Sequence, residues 1–297
     1  MELYNFTFHA MGTVCSLHLY AGSRPKAENA AAAAVSEVDR LERRYSRYRP
    51  ENLMSAINKA AAEGSTLHVD IEVAGLLDYA FVCYESSGGL FDVTSGLLRN
   101  AWDFAVPRLP SRADIERLLP RVGMDKLRWD PPHLGFSVVG MELDFGGIVK
   151  EYAADRAAQV CLDNGVAYGA VELGGDVRVI GPHPDGQPWR IGIRHPRRAD
   201  ETFATAELAG GGLASSGDYE RFFVVGDRRY CHILNPRTGW PVQGLAAVSA
   251  MAETCLAAGC ISSIAMLKEE EGVAWLETLG CDCVWMDRSE RQGGSLL

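Results

Sequence analysis

The sequence predicts an α+β fold: one body of mixed strands and helices, in one or two lobes. Three observations predict it. Segments of period two and of period 3.6 follow one another in irregular order. No internal repeat, low-complexity stretch or long linker divides the chain, so residues 1–297 read as a single domain. Hydrophobic residues make up 47% and charged residues 23%, which at this length supports a large core.

Thr13 to Tyr20 alternates, with Cys15, Leu17 and Leu19 on one side, as a half-buried strand does. Arg24 to Arg47 is a long helix, alanine-rich from Ala27 to Ala34, with Val35, Val38 and Leu41 at helical spacing. Its basic end (Arg40, Arg43, Arg44, Arg47) reads first as a solvated face. Ile71 to Tyr84 is a second helix, stopped by Ser86-Ser87-Gly88-Gly89. Ala113 to Leu119 is a short helix ended by Pro120, and Pro131-Pro132 is a loop. Met141 to Phe145 alternates again and reads as a strand; Gly146-Gly147 turns the chain, and Lys150 to Leu162 is a helix burying Ala154, Ala157, Ala158 and Cys161. Val171 to Ile180 and Trp189 to Arg194 read as strands. Phe222 to Tyr230 reads as a hairpin about Gly226-Asp227. Leu256 to Leu267 is the last helix, and Cys283 to Met286 the last strand.

A net charge of −10 argues against nucleic acid as the main partner, because phosphate backbones need a basic stripe. Any phosphate must be held locally, by a few Arg, Lys and backbone N–H groups or by a metal. The eight cysteines show no C-x-x-C pair and read as small core hydrophobes. No run of 18 apolar residues predicts a transmembrane segment. Met1 to Phe6 has no basic or apolar leader pattern, so the expectation is cytoplasmic, or periplasmic or lipid-anchored if a signal has been removed.

Asp144-Phe145-Gly146-Gly147-Ile148-Val149-Lys150 is the strongest single element. A carboxylate precedes a Gly-Gly turn, and a helix opens with a lysine. Bare N–H groups at a helix start favour an anion. A carboxylate and exposed carbonyls suit a hard cation. A diphosphate bridged by Mg²⁺ would use both; alone, the segment reads equally as a turn whose glycines permit close packing. Gly89-Leu90-Phe91-Asp92-Val93-Thr94 adds a carboxylate that is also a good cap. Tyr48 beside Arg47 and Arg49 offers a ring for stacking or for covering a core edge. Leu173-Gly174-Gly175-Asp176 lacks the order of a dinucleotide-binding fingerprint. Ser216-Gly217-Asp218-Tyr219 and His232 to Gly239 flank the hairpin, which would bring hydroxyls, a carboxylate, His232 and Arg237 to one sheet end.

These blocks, with Met11-Gly12-Thr13 and Tyr48 followed by Asn58, occur in the order seen in the ApbE-type flavin transferases, the FAD:protein FMN transferases, which the chain resembles over nearly its whole length. The resemblance implies a two-lobed, T-fold-like α+β architecture with FAD between the lobes. Members of that family cleave the FAD diphosphate with Mg²⁺ and join FMN to a Thr or Ser of an acceptor flavoprotein. It places catalysis on His232, Arg237 and Asp144. It places FAD on Met11, Tyr48, Leu90, Phe91, Asp92, Asp144, Lys150, Ser216, Gly217 and His232, and the metal on Gly147, Ser263 and position 259.

One block departs from the family pattern. The family's last helix reads Ala-Asp-x-x-x-Thr, whose Asp and Thr share a face and ligate the metal. Here Ala258-Gly259-Cys260-Ile261-Ser262-Ser263 puts Gly259 at the Asp and Ser263 at the Thr. No Asp occurs from Met251 to Leu267. The expectation is a transferase with an altered Mg²⁺ site. Its alternatives are an FAD-binding protein without catalysis and an FAD diphosphatase yielding FMN and AMP. Gly259→Asp is the expected repair.

Overall fold

The computed structural model describes all 297 residues. It opens with a hairpin in which β1 (Glu2–Ala10) and β2 (Thr13–Ala21) pair antiparallel, from Glu2 opposite Ala21 to Ala10 opposite Thr13. Met11 and Gly12 make the turn with φ of 54° and 73°, the two positive values that match strand twist. α1 (Arg24–Tyr45), α2 (Leu53–Glu63), β3 (Thr66–His68) and α3 (Ile71–Ser86) follow. After a 3₁₀ turn at Val93–Asn100 come α4 (Arg112–Leu118) and the pair β4 (Leu127–Asp130) and β5 (His133–Phe136). α5 (Val149–Asp163) leads into β6 (Gly169–Leu173), β7 (Asp176–Gly181), β8 (Trp189–Arg194), β9 (Thr202–Leu208) and β10 (Gly211–Gly217). The hairpin β11 (Phe222–Val225) and β12 (Arg228–Cys231) precedes β13 (Leu245–Ala252), α6 (Cys255–Leu267), α7 (Gly272–Leu279), β14 (Cys283–Asp287) and β15 (Gln292–Gly293).

Eight strands form one antiparallel sheet in the order β1-β2-β6-β7-β10-β13-β14-β15. α1 lies on β1 and β2, α5 on β6 and β7, and α6 on β10 and β13, so three neighbouring helices cover one face. Their contact sides are made of small residues. Ala30, Ala31 and Ala34 of α1, Ala153, Ala154, Ala157 and Ala158 of α5, and Ala258 and Gly259 of α6 are all buried. Small side chains let helix axes approach sheet and neighbour closely, and the alternating Cys15, Leu17 and Leu19 of β2 fill the layer between. The opposite face is covered by the β8–β9 pair, where Ile193, Ala204, Ala206 and Leu208 pack on Val177, Val179 and Leu213. A third cluster joins the β11–β12 hairpin (Phe223, Tyr230) to Trp102, Ile115 and Leu118 of the α4 region.

Two strand expectations are corrected. Val171 to Ile180 is two strands, β6 and β7, because Gly174 and Gly175 both take positive φ (61° and 91°) and reverse the chain. Met141 to Phe145 keeps its alternation, with Met141, Leu143 and Phe145 buried, but it joins no sheet. Its backbone is held otherwise. Asn58 Nδ2 donates to the Leu143 carbonyl at 3.0 Å, and Leu143 N–H donates to Asn58 Oδ1 at 2.7 Å. Asp144 N–H donates to the Val93 carbonyl at 2.8 Å. A single amide thus replaces a strand partner and fixes where Asp144 stands.

Asn58→Ala leaves a buried donor and acceptor of Leu143 without partners. It is expected to cost about 1–3 kcal/mol in urea unfolding, the usual penalty for stranding buried backbone groups. A loss below about 0.5 kcal/mol, the level of an ordinary surface substitution, would mean that the segment is held by its apolar side chains alone.

Candidate functional site

Part of the candidate set meets at the start of α5. Gly146 and Gly147 are exposed and no side chain caps the helix; the N–H groups of Ile148 and Val149 both turn back on the Phe145 carbonyl at 2.9 Å, which leaves the exposed glycine turn itself as the approach for an anion. Asp144, just before, accepts from Gly146 N–H at 2.8 Å. Its other oxygen takes Arg47 at 3.1 Å and Arg99 at 3.0 Å. Gly96 makes this packing possible, since a Cβ there would run into the Cβ of Asp144. Phe91 is buried with its ring against Gly147, where an added Cβ would meet it at 3.6 Å. Tyr48 is 77% exposed, with only Arg47 over its ring, and is open for stacking.

Lys150 does not point at a free anion pocket. Its ammonium is paired with the buried carboxylate of Asp176, which raises its pKa against the opposing effect of burial. Asp176 in turn accepts from Ser215 N–H at 3.1 Å, tying α5 to β10. On the next residue, Ser216 Oγ lies 2.9 Å from Ser262 Oγ and 3.0 Å from Ser263 Oγ, so the β10 hydroxyl and the α6 hydroxyls meet. Gly217 admits the Tyr219 ring, which a Cβ would block.

Asp92 is a cap. It accepts from Thr94 N–H at 2.7 Å, Thr94 Oγ1 at 2.6 Å and Met124 N–H at 3.1 Å, and burial pushes its carboxyl pKa up. The half-buried Leu90 and the buried Phe91 just before it are ordered by Ser87, whose Oγ accepts from their N–H groups at 3.0 and 2.8 Å. Arg237 is exposed and donates to the Gly88 carbonyl. Asp92 and Arg237 line one cleft of 340 Å³ with Tyr84 and Pro236. A larger groove of 610 Å³ between β1 and α1 holds none of the candidate residues. Met11 sits in the β1–β2 turn with its N–H on Glu42 at 2.8 Å, beside Gly12 and the Arg221 guanidinium.

His232 donates its backbone N–H to the Arg221 carbonyl at 3.0 Å, and its Nδ1 is buried without a partner. Burial, reinforced by Arg99, Arg221 and Lys150, pulls its pKa down to about 4. The ring is therefore neutral at pH 7.

No three His, Cys, Asp or Glu side chains converge into a metal cage. Gly259 faces something that the sequence reading missed. A Cβ at Gly259 would lie 2.5 Å from Glu151 Cγ, 3.0 Å from its Cδ and 3.2 Å from its Oε1. The Glu151 carboxyl on α5 fills the space beside Gly259, and its Oε2 is buried without a hydrogen bond. Burial pushes this carboxyl up to about 8, against the pull of Lys150. The expected repair by Gly259→Asp is therefore corrected: it would drive a second carboxyl into an occupied volume. A sequence signal existed. Glu151, Ala154 and Ala158 share one helical face, and a charged residue on an alanine face is buried for a reason.

The neutral His232 gives a pH dependence. The unfolded ring titrates near 6.5 and the folded ring near 4, so the unfolded chain binds more protons between these values. Its contribution to stability is present above pH 6.5 and is lost as pH falls toward 4. Thermal unfolding from pH 8 to 4 is expected to show wild type losing on the order of 1–3 kcal/mol relative to His232→Asn. Parallel profiles would contradict the buried, neutral assignment.

The ApbE family profile matches residues 11–285. The chain is 30% identical over 271 residues to the FAD:protein FMN transferase of Rhodobacter capsulatus, covering 89% of this chain and 51% of that protein, so it spans about half the length of that relative. It is 28% identical to the FAD:protein FMN transferase of Haemophilus influenzae, covering 74% of this chain and 67% of that one. The crystal structure of the ApbE protein of Thermotoga maritima superposes with a TM-score of 0.90 at 30% identity, covering 99% and 97% of the two chains. The flavinyl transferase ApbE of Pseudomonas stutzeri, in its apo form, gives 0.87 at 30% identity, covering 98% and 93%. The order of the sequence blocks, the fold that carries them and these matches agree: the chain belongs to the ApbE family.

Proposed function

We propose that this protein transfers FMN from FAD to a Thr or Ser hydroxyl of an acceptor flavoprotein. The observation that carries the reading is the uncapped start of α5, with the arginine-held Asp144 beside it and Lys150 tied through Asp176 to β10, the strand whose Ser216 meets Ser263 of α6. It is a small, locally cationic, hydroxyl-lined place for a diphosphate in a chain of net charge −10. Tyr48, open to solvent, offers a face to a flat ring system.

In the reaction the acceptor oxygen bonds to the FMN phosphorus, the P–O–P linkage breaks, AMP leaves, and the acceptor hydroxyl gives up its proton. The exposed glycine turn before α5 holds the diphosphate in register. His232, neutral at pH 7, takes the proton. Arg237 stands at the cleft mouth, where a cation favours the departing phosphate. The donors present fit Mg²⁺: hydroxyl and carbonyl oxygens beside an orphaned buried carboxylate oxygen. The Gly147 carbonyl and Ser263 would hold it, and when bound it supplies neutralisation of phosphate charge.

Incubation with FAD, Mg²⁺ and an acceptor protein tests this. Covalent flavin on the acceptor, seen as in-gel fluorescence and a mass increase, is the expected result. Free FMN and AMP without an adduct would make the chain a diphosphatase, and unchanged FAD would make it a binder. His232→Asn is expected to lower the transfer rate by about 10²–10⁴-fold, the usual worth of a general base. A loss below about tenfold would remove His232 from that role.

A further inference from the structure

We propose that Glu151 is the carboxylate ligand of the divalent-metal site, and that Gly259 is the space that admits it. The inference rests on the reading of the site as a metal-assisted FMN transferase.

Glu151 lies in the first turn of α5 on its buried side, and its side chain is 11% exposed. A carboxyl taken out of water needs partners, yet Oε2 has none. Its nearest cation, Lys150, is 3.9 Å from Oε1 and already committed to Asp176. Glu151 is thus unexplained as an ion-pair partner. It is equally unexplained as packing: its buried neighbours on α5 are alanines, and the other carboxylate on that face, Asp155, has its own partners in Cys255 N–H and Leu256 N–H.

Its surroundings supply the explanation. The carboxyl abuts α6 at Gly259, the position one helical turn before Ser263. The Gly259 carbonyl accepts from Ser262 Oγ at 3.0 Å, and Ser262 and Ser263 both meet Ser216. One carboxylate and several hydroxyls supply oxygen donors here, which suit a hard cation whose remaining positions are phosphate oxygens and water, and the Lys150 ammonium beside the carboxyl is held off by Asp176. A carboxylate on α6 at residue 259 and a carboxylate on α5 at residue 151 would occupy the same volume. The two positions therefore form an exclusive pair. The chain carries its charge on α5 and pays with a glycine on α6.

The test is Mn²⁺ binding in the presence of FAD, read from the loss of the free-Mn²⁺ EPR signal. Flavin fluorescence quenching without metal serves as the control for an intact site. Glu151→Gln, which keeps the shape, is expected to weaken Mn²⁺ by at least about tenfold and leave metal-free FAD binding within about twofold; a lost outer-shell partner alone costs a metal site 10–100-fold. Gly259→Asp alone is expected to give no tighter site than wild type. The double variant Glu151→Ala with Gly259→Asp moves the carboxylate to the other helix and is expected to recover Mn²⁺ affinity over Glu151→Ala. Wild-type Mn²⁺ affinity in Glu151→Gln, no recovery in the double variant, or no Mn²⁺ site in wild type would each overturn the proposal. Loss of Mn²⁺ in Glu151→Gln with no FMN transfer by wild type would leave the ligand standing and remove the transferase reading. Transfer by wild type with undiminished Mn²⁺ binding in Glu151→Gln would do the reverse.

Discussion

The close contact of α5 with α6 is the constraint on which the site depends. Asp155 of α5 caps α6, accepting from Cys255 N–H and Leu256 N–H at 2.9 Å each. Two otherwise orphaned donors are satisfied from outside the helix, which fixes the start of α6 against α5. One turn earlier on α5, Glu151 meets Gly259, where the absence of a side chain allows the approach. Both helices lie on the same sheet face, so this contact also sets the distance from the α5 start to the hydroxyls of Ser216, Ser262 and Ser263. Lys150 and Asp176 lock the same turn of α5 to β10 through Ser215.

Charge is distributed accordingly. The chain is acidic overall, but Arg47, Arg99, Lys150 and Arg221 converge around Asp144, Asp176 and His232. The arginines on Asp144 hold one carboxylate in an oriented state. The same cationic neighbourhood, added to burial, keeps His232 neutral. Such local surplus allows an acidic protein to receive a diphosphate without a basic surface.

Much of this was legible in the sequence. The period-two run at Cys15, Leu17 and Leu19, the alanine faces of α1 and α5, and the Phe222 to Tyr230 hairpin all formed where the pattern put them. Of the glycine-bounded blocks, Phe91, Asp144 and Asp176 meet the start of α5. What misled was context. Met141 to Phe145 has a strand's alternation, but a side-chain amide, not a neighbouring strand, satisfies its backbone. β1 carries a legible period-two signal, Tyr4, Phe6 and Phe8 alternating with Asn5, Thr7 and His9, whereas the near-continuous apolar run of β13 suits strand and helix alike. Asp92 reads as a ligand or as a cap from sequence alone, and only its three short bonds decide in favour of the cap. The Glu151–Gly259 pairing joins residues 108 positions apart, so each looked like an isolated irregularity until the helices were placed side by side.

The account turns on where the carboxylate of the site comes from. A crystal structure of the protein grown with Mn²⁺ and FAD, phased to show Mn²⁺ by its anomalous signal, tests it most directly. The predicted result is a peak about 2.0–2.2 Å from a Glu151 carboxylate oxygen, the length of a bond between a hard divalent cation and oxygen, with Ser263 among the other ligands and Gly259 leaving room for both. A peak held by other residues, with the Glu151 carboxyl still unpartnered against Gly259, would contradict it.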